Sequence, residues 1–253
     1  MSWAGKRRTL YGGLVALFLM LLIGIPSFIF LYEKPTCFDG IQNQGELGID
    51  KGGPCLLLHK SQVQNIAILW ARSFEVVPGI YNAVSQIDNP NFSAGAVDVP
   101  YSFKLFDSSN LLIAERKGKT YISPNKLIPV FEGTISTGNR VPTRTFFELL
   151  EEPNWIRVDN PIEGLNVENW SLSNRDTAPR IDAKIENKSF EDIYNIEVVA
   201  TVFNSSGVAI AASRTIIEVL SKQSSYEVTF TWPQKFSDSV SRVEIIPRAD
   251  FHD

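Results

Sequence analysis

The 253 residues carry 24 Lys and Arg against 28 Asp and Glu, a net charge of −4. Basic residues do not cluster beyond the first few positions, so the electrostatic footprint of a nucleic-acid binder is missing. Aromatic residues make up 11% of the chain, ample for core, and the length allows two ordinary domains besides a membrane segment.

Residues 10–32 (LYGGLVALFLMLLIGIPSFIFLY) hold no charged side chain. As a helix, about 23 residues rise roughly 34 Å, enough for a hydrocarbon core of about 30 Å. Lys6, Arg7 and Arg8 precede the run and Glu33 follows it. Positive residues stay inside, which predicts a cytoplasmic tail (1–9), a transmembrane helix (10–32) and an exterior bulk. The expected location is thus the plasma membrane, single-pass, with the N-terminus cytoplasmic. Tyr11 and Tyr32 stand where interfacial aromatics sit, and Pro26 kinks the outer end at most. The competing reading is a cleaved signal peptide, which has a shorter apolar stretch and a small-x-small cleavage site. Neither that site nor a lipobox before Cys37 occurs here.

Residues 33–60 form a juxtamembrane loop holding the two cysteines, Cys37 and Cys55. Outside the cytoplasm so close a pair tends to oxidise, and a bridge would close a loop of about 17 residues, worth roughly 3 kcal/mol in the chain-entropy model. Two free thiols are the alternative. Zinc would need about four ligands, and His59 is the only nearby imidazole. Asp39, Asn43, Glu46 and Asp50 put oxygen ligands into a glycine-rich loop, where Ca²⁺ is a candidate cofactor. The plainer reading is that these acids build turns and keep the loop soluble.

The stretch Cys37-Phe-Asp-Gly-Ile-Gln-Asn-Gln-Gly-Glu-Leu-Gly-Ile-Asp-Lys-Gly-Gly-Pro-Cys55 resembles a motif of secreted and surface bacterial proteins, C-x-D-G-I-Q-N-Q-G-E-x-G-I-D-C-G-G-P-C. Lys51 stands where the motif has a further Cys. The loss leaves an even pair, which suits a single bridge. The resemblance implies a bacterial envelope.

Beyond the loop, two stretches share an order of features at a period of about 97 residues. Ile87-Asp-Asn-Pro-Asn-Phe92 is followed by Tyr101-Ser-Phe-Lys-Leu-Phe-Asp-Ser-Ser-Asn110. Ile185-Glu-Asn-Lys-Ser-Phe190 is followed by Val198-Val-Ala-Thr-Val-Phe-Asn-Ser-Ser-Gly207. Tyr121-Ile-Ser-Pro-Asn-Lys126 then matches Val219-Leu-Ser-Lys-Gln-Ser224. The first copy (61–157) opens on a strand, Gln64 to Arg72, with Ile66, Ile68 and Trp70 on one face; a helix from Ser61 to Phe74 is the rival. Arg140 to Glu148 reads as its closing strand. Asp159 to Gly164 is a linker.

In the second copy (158–253), Ile181, Ala183 and Ile185 alternate with Asp182, Lys184 and Glu186. Ile196, Val198, Ala200 and Val202 form one face of the next strand, and Asn204-Ser-Ser-Gly207 a hairpin turn. Strands are expected at Val208–Ser213, Thr215–Leu220, Tyr226–Trp232 and Val240–Ile246. Many short strands with regular turns predict an all-β fold: tandem immunoglobulin-like β-sandwiches after a single N-terminal helix. Trp70 and Trp232 are expected in cores rather than on a partner surface, with Trp155 and Trp170 packing between domains.

The second copy also resembles the FxLYD type of bacterial immunoglobulin-like module, through Ile-Glu-Asn, Val-Val-Ala-Thr-Val-Phe-Asn-Ser-Ser-Gly and Leu-Ser-Lys-Gln-Ser. Asn204 stands where that pattern has Asp; the first copy keeps Phe106-Asp107 but has Asn110 in place of Gly. The resemblance implies a fold and an envelope location, and no reaction.

Catalytic signatures are missing. There is no G-x-S-x-G, H-E-x-x-H, phosphate loop or G-x-G-x-x-G, and the histidines are only His59 and His252. Glu148, Glu151 and Glu152 read as a solvated run. Sequons at Asn91, Asn169, Asn187 and Asn204 read as turn residues in a bacterium. The expectation is a membrane-anchored binding or scaffolding protein without catalysis or cofactor, calcium apart. Its partners would be the membrane and an envelope protein or polysaccharide, with no nucleic acid. The alternative is an envelope enzyme or assembly factor with a carboxylate or metal site between the sandwiches.

Overall fold

The computed structural model describes residues 3–31, 34–159 and 161–251. Tyr32, Glu33 and His252 lie outside the described residues. The chain divides into two compact units, Met1–Cys55 and Leu56–Asp253.

The first unit begins with α1 (Trp3–Leu31). It has no polar face, and every side chain from Arg7 to Ser27 is exposed. A helix apolar all round has no stable place in water, and these 21 residues suffice to cross a membrane. A membrane span and a signal sequence both meet that description. Arg7 stacks on the Trp3 ring at 3.9 Å. The unit ends in a loop closed by Cys37–Cys55, with Sγ–Sγ 1.99 Å and Cα–Cα 5.5 Å.

The second unit is built of strands β1 (Ala67–Val77), β2 (Ile80–Asn89), β3 (Ala94–Phe106), β4 (Leu112–Ile122), β5 (Lys126–Ser136), β6 (Arg144–Leu149) and β7 (Ile156–Arg157). The rest are β8 (Leu165–Ser173), β9 (Arg180–Asn187), β10 (Ile193–Phe203), β11 (Ala209–Leu220), β12 (Ser224–Thr231) and β13 (Arg242–Arg248). All pairings are antiparallel. The first sandwich has sheets β1-β2-β5 and β4-β3-β6, with β7 added to β3. The second has β8-β9-β12 and β11-β10-β13. The strand order is the same in both, β8 taking the place of β1 and each later strand that of its counterpart. The repeat seen in sequence is therefore a repeat of topology. Residues 56–58 join the first sandwich: Leu57 bridges Ile156, and the Leu58 N–H donates to Trp155 O at 2.9 Å.

Each sandwich has its own core. Tyr81, Ile87, Phe103, Leu105, Ile128 and Phe147 meet in the first. Ile181, Ile185, Ile196, Val198, Phe230 and Trp232 meet in the second. Alternation puts Ile181, Ala183, Ile185, Ile196, Val198, Ala200 and Val202 inward, and all are buried.

Several local expectations are corrected. Residues 67–77 are strand, not helix, but a register shift between Ile68 and Trp70 reverses the side-chain phase. Ile66 and Ala71 then reach the first core, while Ile68 is exposed. Val208–Ser213 and Thr215–Leu220 are one strand, β11, running the length of β10. The closing strand β6 starts at Arg144, since Pro142 has no N–H to offer a ladder. Trp155 packs on the first core, and Trp170, on the edge strand β8, is exposed. The larger difference concerns β10: Val199, Thr201 and Phe203, opposite its core face, are buried as well.

Candidate functional site

In the disulfide loop the four oxygen-bearing residues build turns. Asp39 Oδ2 accepts the Thr36 N–H (3.0 Å) and the Asn43 amide (3.0 Å), and Oδ1 accepts the Ile41 N–H (2.9 Å). The Thr36 N–H first, then the Asn43 amide and the Ile41 N–H, hold the Asp39 carboxyl below the usual range. Glu46 is buried; its Oε2 accepts the Asp50 N–H at 3.1 Å and the Asn43 N–H at 3.4 Å. Asp50 turns back to the Gly40 N–H at 3.1 Å. The structure thus links Asp39, Asn43, Glu46 and Asp50, but through backbone N–H donors and the Asn43 amide. Calcium takes six to eight oxygens, and these carboxylates would have to leave their N–H partners to supply them. Among the described residues, the one set of three His, Cys, Asp or Glu side chains close enough to hold a metal is Cys37, Glu46 and Cys55. Its sulfurs are joined to each other, and the thiolate is the form that ligates.

The second candidate is the junction of the two sandwiches. Outward side chains of β1, β2 and β5 meet the outward face of β10 and β11: Phe74, Val84 and Phe131 pack on Val199, Phe203, Ala209 and Ala212. Trp70 leans on this cluster, edge-on to Phe203 at 6.1 Å. The phase reversal in β1 is what points Trp70 here. Around the apolar patch, Arg72 Nη1 donates to Ala209 O at 3.2 Å, and the Arg214 guanidinium lies 5.2 Å from the Phe131 ring centre.

At the far end of β13, Arg248 Nη2 donates to Thr120 Oγ1 (2.8 Å) and Nη1 to Pro129 O (3.2 Å), both in the first sandwich. Its Nε lies 2.8 Å from Glu197 Oε2, although the N–H is not aimed at that oxygen. Glu197 also pairs with Arg214 at 3.1 Å. Arg248 stacks on Tyr121 at 4.2 Å. Burial pushes the Tyr121 hydroxyl up to about 12, with Arg248 opposing. Beside it, Phe251 lies so near Gly95 that a Cβ there would come within 2.5 Å of the ring, so a larger residue at this position would push the ring away. Sequence reasoning missed Glu197, Arg248, Tyr121 and Gly95. One signal was present: β10 is apolar on both sides with Glu197 as its single acid, the pattern of a strand covered on both faces.

A third arrangement occurs twice. Asn187 is fully buried, and its Nδ2 donates to Glu191 O (2.9 Å), Leu220 O (3.0 Å) and Ser221 O (3.2 Å) while Oδ1 accepts the Ser189 N–H. Asn89 does the same in the first sandwich, with Ala94 O, Ser123 O and the Asn91 N–H. The later turns match too. Asn204 Oδ1 accepts the N–H of Ser206 and Val208, and Asp107 Oδ1 those of Ser109 and Leu111. Asp107 then pairs with Arg140 (2.7 Å), whereas the Asn204 amide donates to Asp238 (2.8 Å). These are scaffold roles.

No family model matches the chain, and no curated protein does. Among solved structures, a Bacteroides uniformis β-glucuronidase 2 covalently bound to cyclophellitol-6-carboxylate aziridine shares 13% identity, with TM-score 0.29, over 68% of this chain and 25% of that one. A red sea bream transglutaminase gives 7% identity and TM-score 0.26, over 75% and 30%. A β-glucuronidase from glycoside hydrolase family 2 gives 10% and 0.24, over 87% and 27%. The chain spans about a quarter to a third of these proteins. At such TM-scores the likenesses carry no argument about what it does.

Proposed function

We propose that this chain is a membrane-anchored binding or scaffolding protein of a bacterial envelope, without catalysis. Its N-terminus is cytoplasmic and its β unit extracytoplasmic. The observation behind the reading is the junction. A cleft enzyme needs carboxylates poised toward a substrate; here Glu197 is held by Arg214 and Arg248, inside a joint of packed aromatics. Such a joint suits a stiff two-module rod that presents surfaces. The doubled topology and shared turn chemistry favour the FxLYD-type resemblance. The partner we propose is an envelope protein or polysaccharide.

Two measurements test this. Protease added to intact spheroplasts should remove everything beyond the helix; full protection would reverse the orientation. Crosslinking in native membranes, then purification through the chain, should recover an envelope protein or glycan, and recovery of the chain with lipid alone would sink the binding role. For the loop, we propose that Asp39, Asn43, Glu46 and Asp50 build turns and hold no calcium. Adding a chelator should then leave its amide exchange unchanged, and a chelator-induced rise would restore the calcium site.

A further inference from the structure

The disulfide loop is built inside out. Its one large acid, Glu46, is only 6% exposed, with its carboxylate turned inward on backbone N–H groups. Its apolar side chains point outward: Phe38 is 85% exposed, Ile41 63%, Leu47 49% and Ile49 59%. Single exposed apolar residues need no explanation, but four in a loop of this size, together with a buried acid, reverse the usual sorting. A disulfide and a set of Asx turns hold the loop in this form, so the exposure is not that of a loose coil. Two exposed lysines, Lys34 and Lys51, lie at its margin.

What covers this surface follows from chain length. α1 ends at Leu31 and the loop begins at Cys37. Six residues reach about 20 Å at full extension, so a loop following a membrane-spanning helix is tethered beside the bilayer and can lie in the interfacial zone. The carboxylates of Asp39, Glu46 and Asp50 are taken up by the loop's own N–H groups, which leaves Lys34 and Lys51 to face lipid phosphates while the apolar side chains settle into the headgroup–acyl boundary. We infer that the Cys37–Cys55 loop is a lipid-binding foot, which lays Phe38, Ile41, Leu47 and Ile49 into the outer surface of the membrane that α1 crosses. The inference rests on the anchor reading and adds a second contact with the same bilayer.

The test uses the full chain in vesicles of equal parts phosphatidylethanolamine and phosphatidylglycerol. A photoreactive benzoylphenylalanine replaces Leu17 in the helix, Phe38 in the loop, or Phe190, an equally exposed aromatic of the second sandwich. Lipid adducts are read by mass spectrometry. Adducts at positions 17 and 38, with the yield at 38 about tenfold or more above that at 190, are expected from interfacial burial. Adducts at 17 and none at 38 overturn the inference and leave the anchor standing. No adduct at 17 overturns the anchor, and the inference with it. A covalent dimer through position 38 in place of lipid would make the occupant a second copy, and also overturns it. A second form carries a flexible Gly/Ser insert between Lys34 and Pro35. If the loop itself binds lipid, its adduct yield stays within about twofold; a fall of about tenfold would show mere tethering.

Discussion

The buried asparagines show what a single side chain contributes. Asn187 donates to the carbonyls of three residues at strand ends and turns, and Asn89 to two. Asn187→Ala would leave them without a donor in a dry site, costing about 1–3 kcal/mol. A lower urea midpoint with an unchanged slope is the expected result, and Asn89→Ala should behave alike. The sequence marked Asn187 as a turn residue through its N-x-S spacing, and Asn89 stands at the matching place of the first copy. Burial was illegible, because it depends on a turn more than thirty residues away. Titration separates two further residues. Asp39 has its carboxyl lowered from 3.8 in the folded loop, so its contribution is complete above that value and is lost as pH falls through the lowered one. The Thr36 and Ile41 amide resonances should move together only in acid. Tyr121 works in the opposite sense. Its hydroxyl is raised from 10.0 to about 12, so the joint is at full strength below 10 and weakens as pH rises through about 12. Tyrosinate absorbance should show this group ionising late, along with loss of structure.

Among the elements, β10 carries most of the information. Its core face was legible because Ile196, Val198, Ala200 and Val202 keep period two. The cover on its other face was not legible, since periodicity cannot say whether Val199 and Phe203 meet water or another sheet. The two faces give different predictions. Val198→Asp buries an unpaired carboxylate inside the second sandwich, costs several kcal/mol, and should unfold it. Val199→Asp places the charge in the joint instead. It should split one cooperative melt into two, with both sandwiches still folded, as scanning calorimetry would show. A single unsplit transition at lower temperature would mean that the modules cannot stand apart. The bulge in β1 is the other lesson: one extra residue after Ile68 moves Trp70 from the core to the joint, and no sequence signal marks where such a residue falls.

At the scale of the β unit, each sandwich keeps its own core and the two share a third cluster. Two modules were legible from the repeat, but their joint was not, since it is made by residues that look like ordinary outward positions. A fragment from 163 to 253 should therefore fold as a β domain, yet expose Val199, Phe203, Ala209 and Ala212. It should melt below the intact chain and bind a hydrophobic dye. A fragment as stable as the parent and free of dye would mean that the joint contributes nothing.

The contacts at Gly95, Thr120 and Pro129 also set an order of events in biosynthesis. Synthesis proceeds from the N-terminus, and domains fold as they emerge. The first sandwich can be complete while Arg248 and Phe251, which reach across to it, are still unmade. During that interval the contacts of Arg248 with Thr120 and Pro129, and of Phe251 with Gly95, are missing. A nascent chain stalled before residue 199, still without Val199, Phe203, Ala209 and Ala212, would present a sticky half-joint to its neighbours and to quality-control proteases. A chain released whole would hide it. The late position of Arg248 and Phe251 thus makes their contacts the last part of the joint to close.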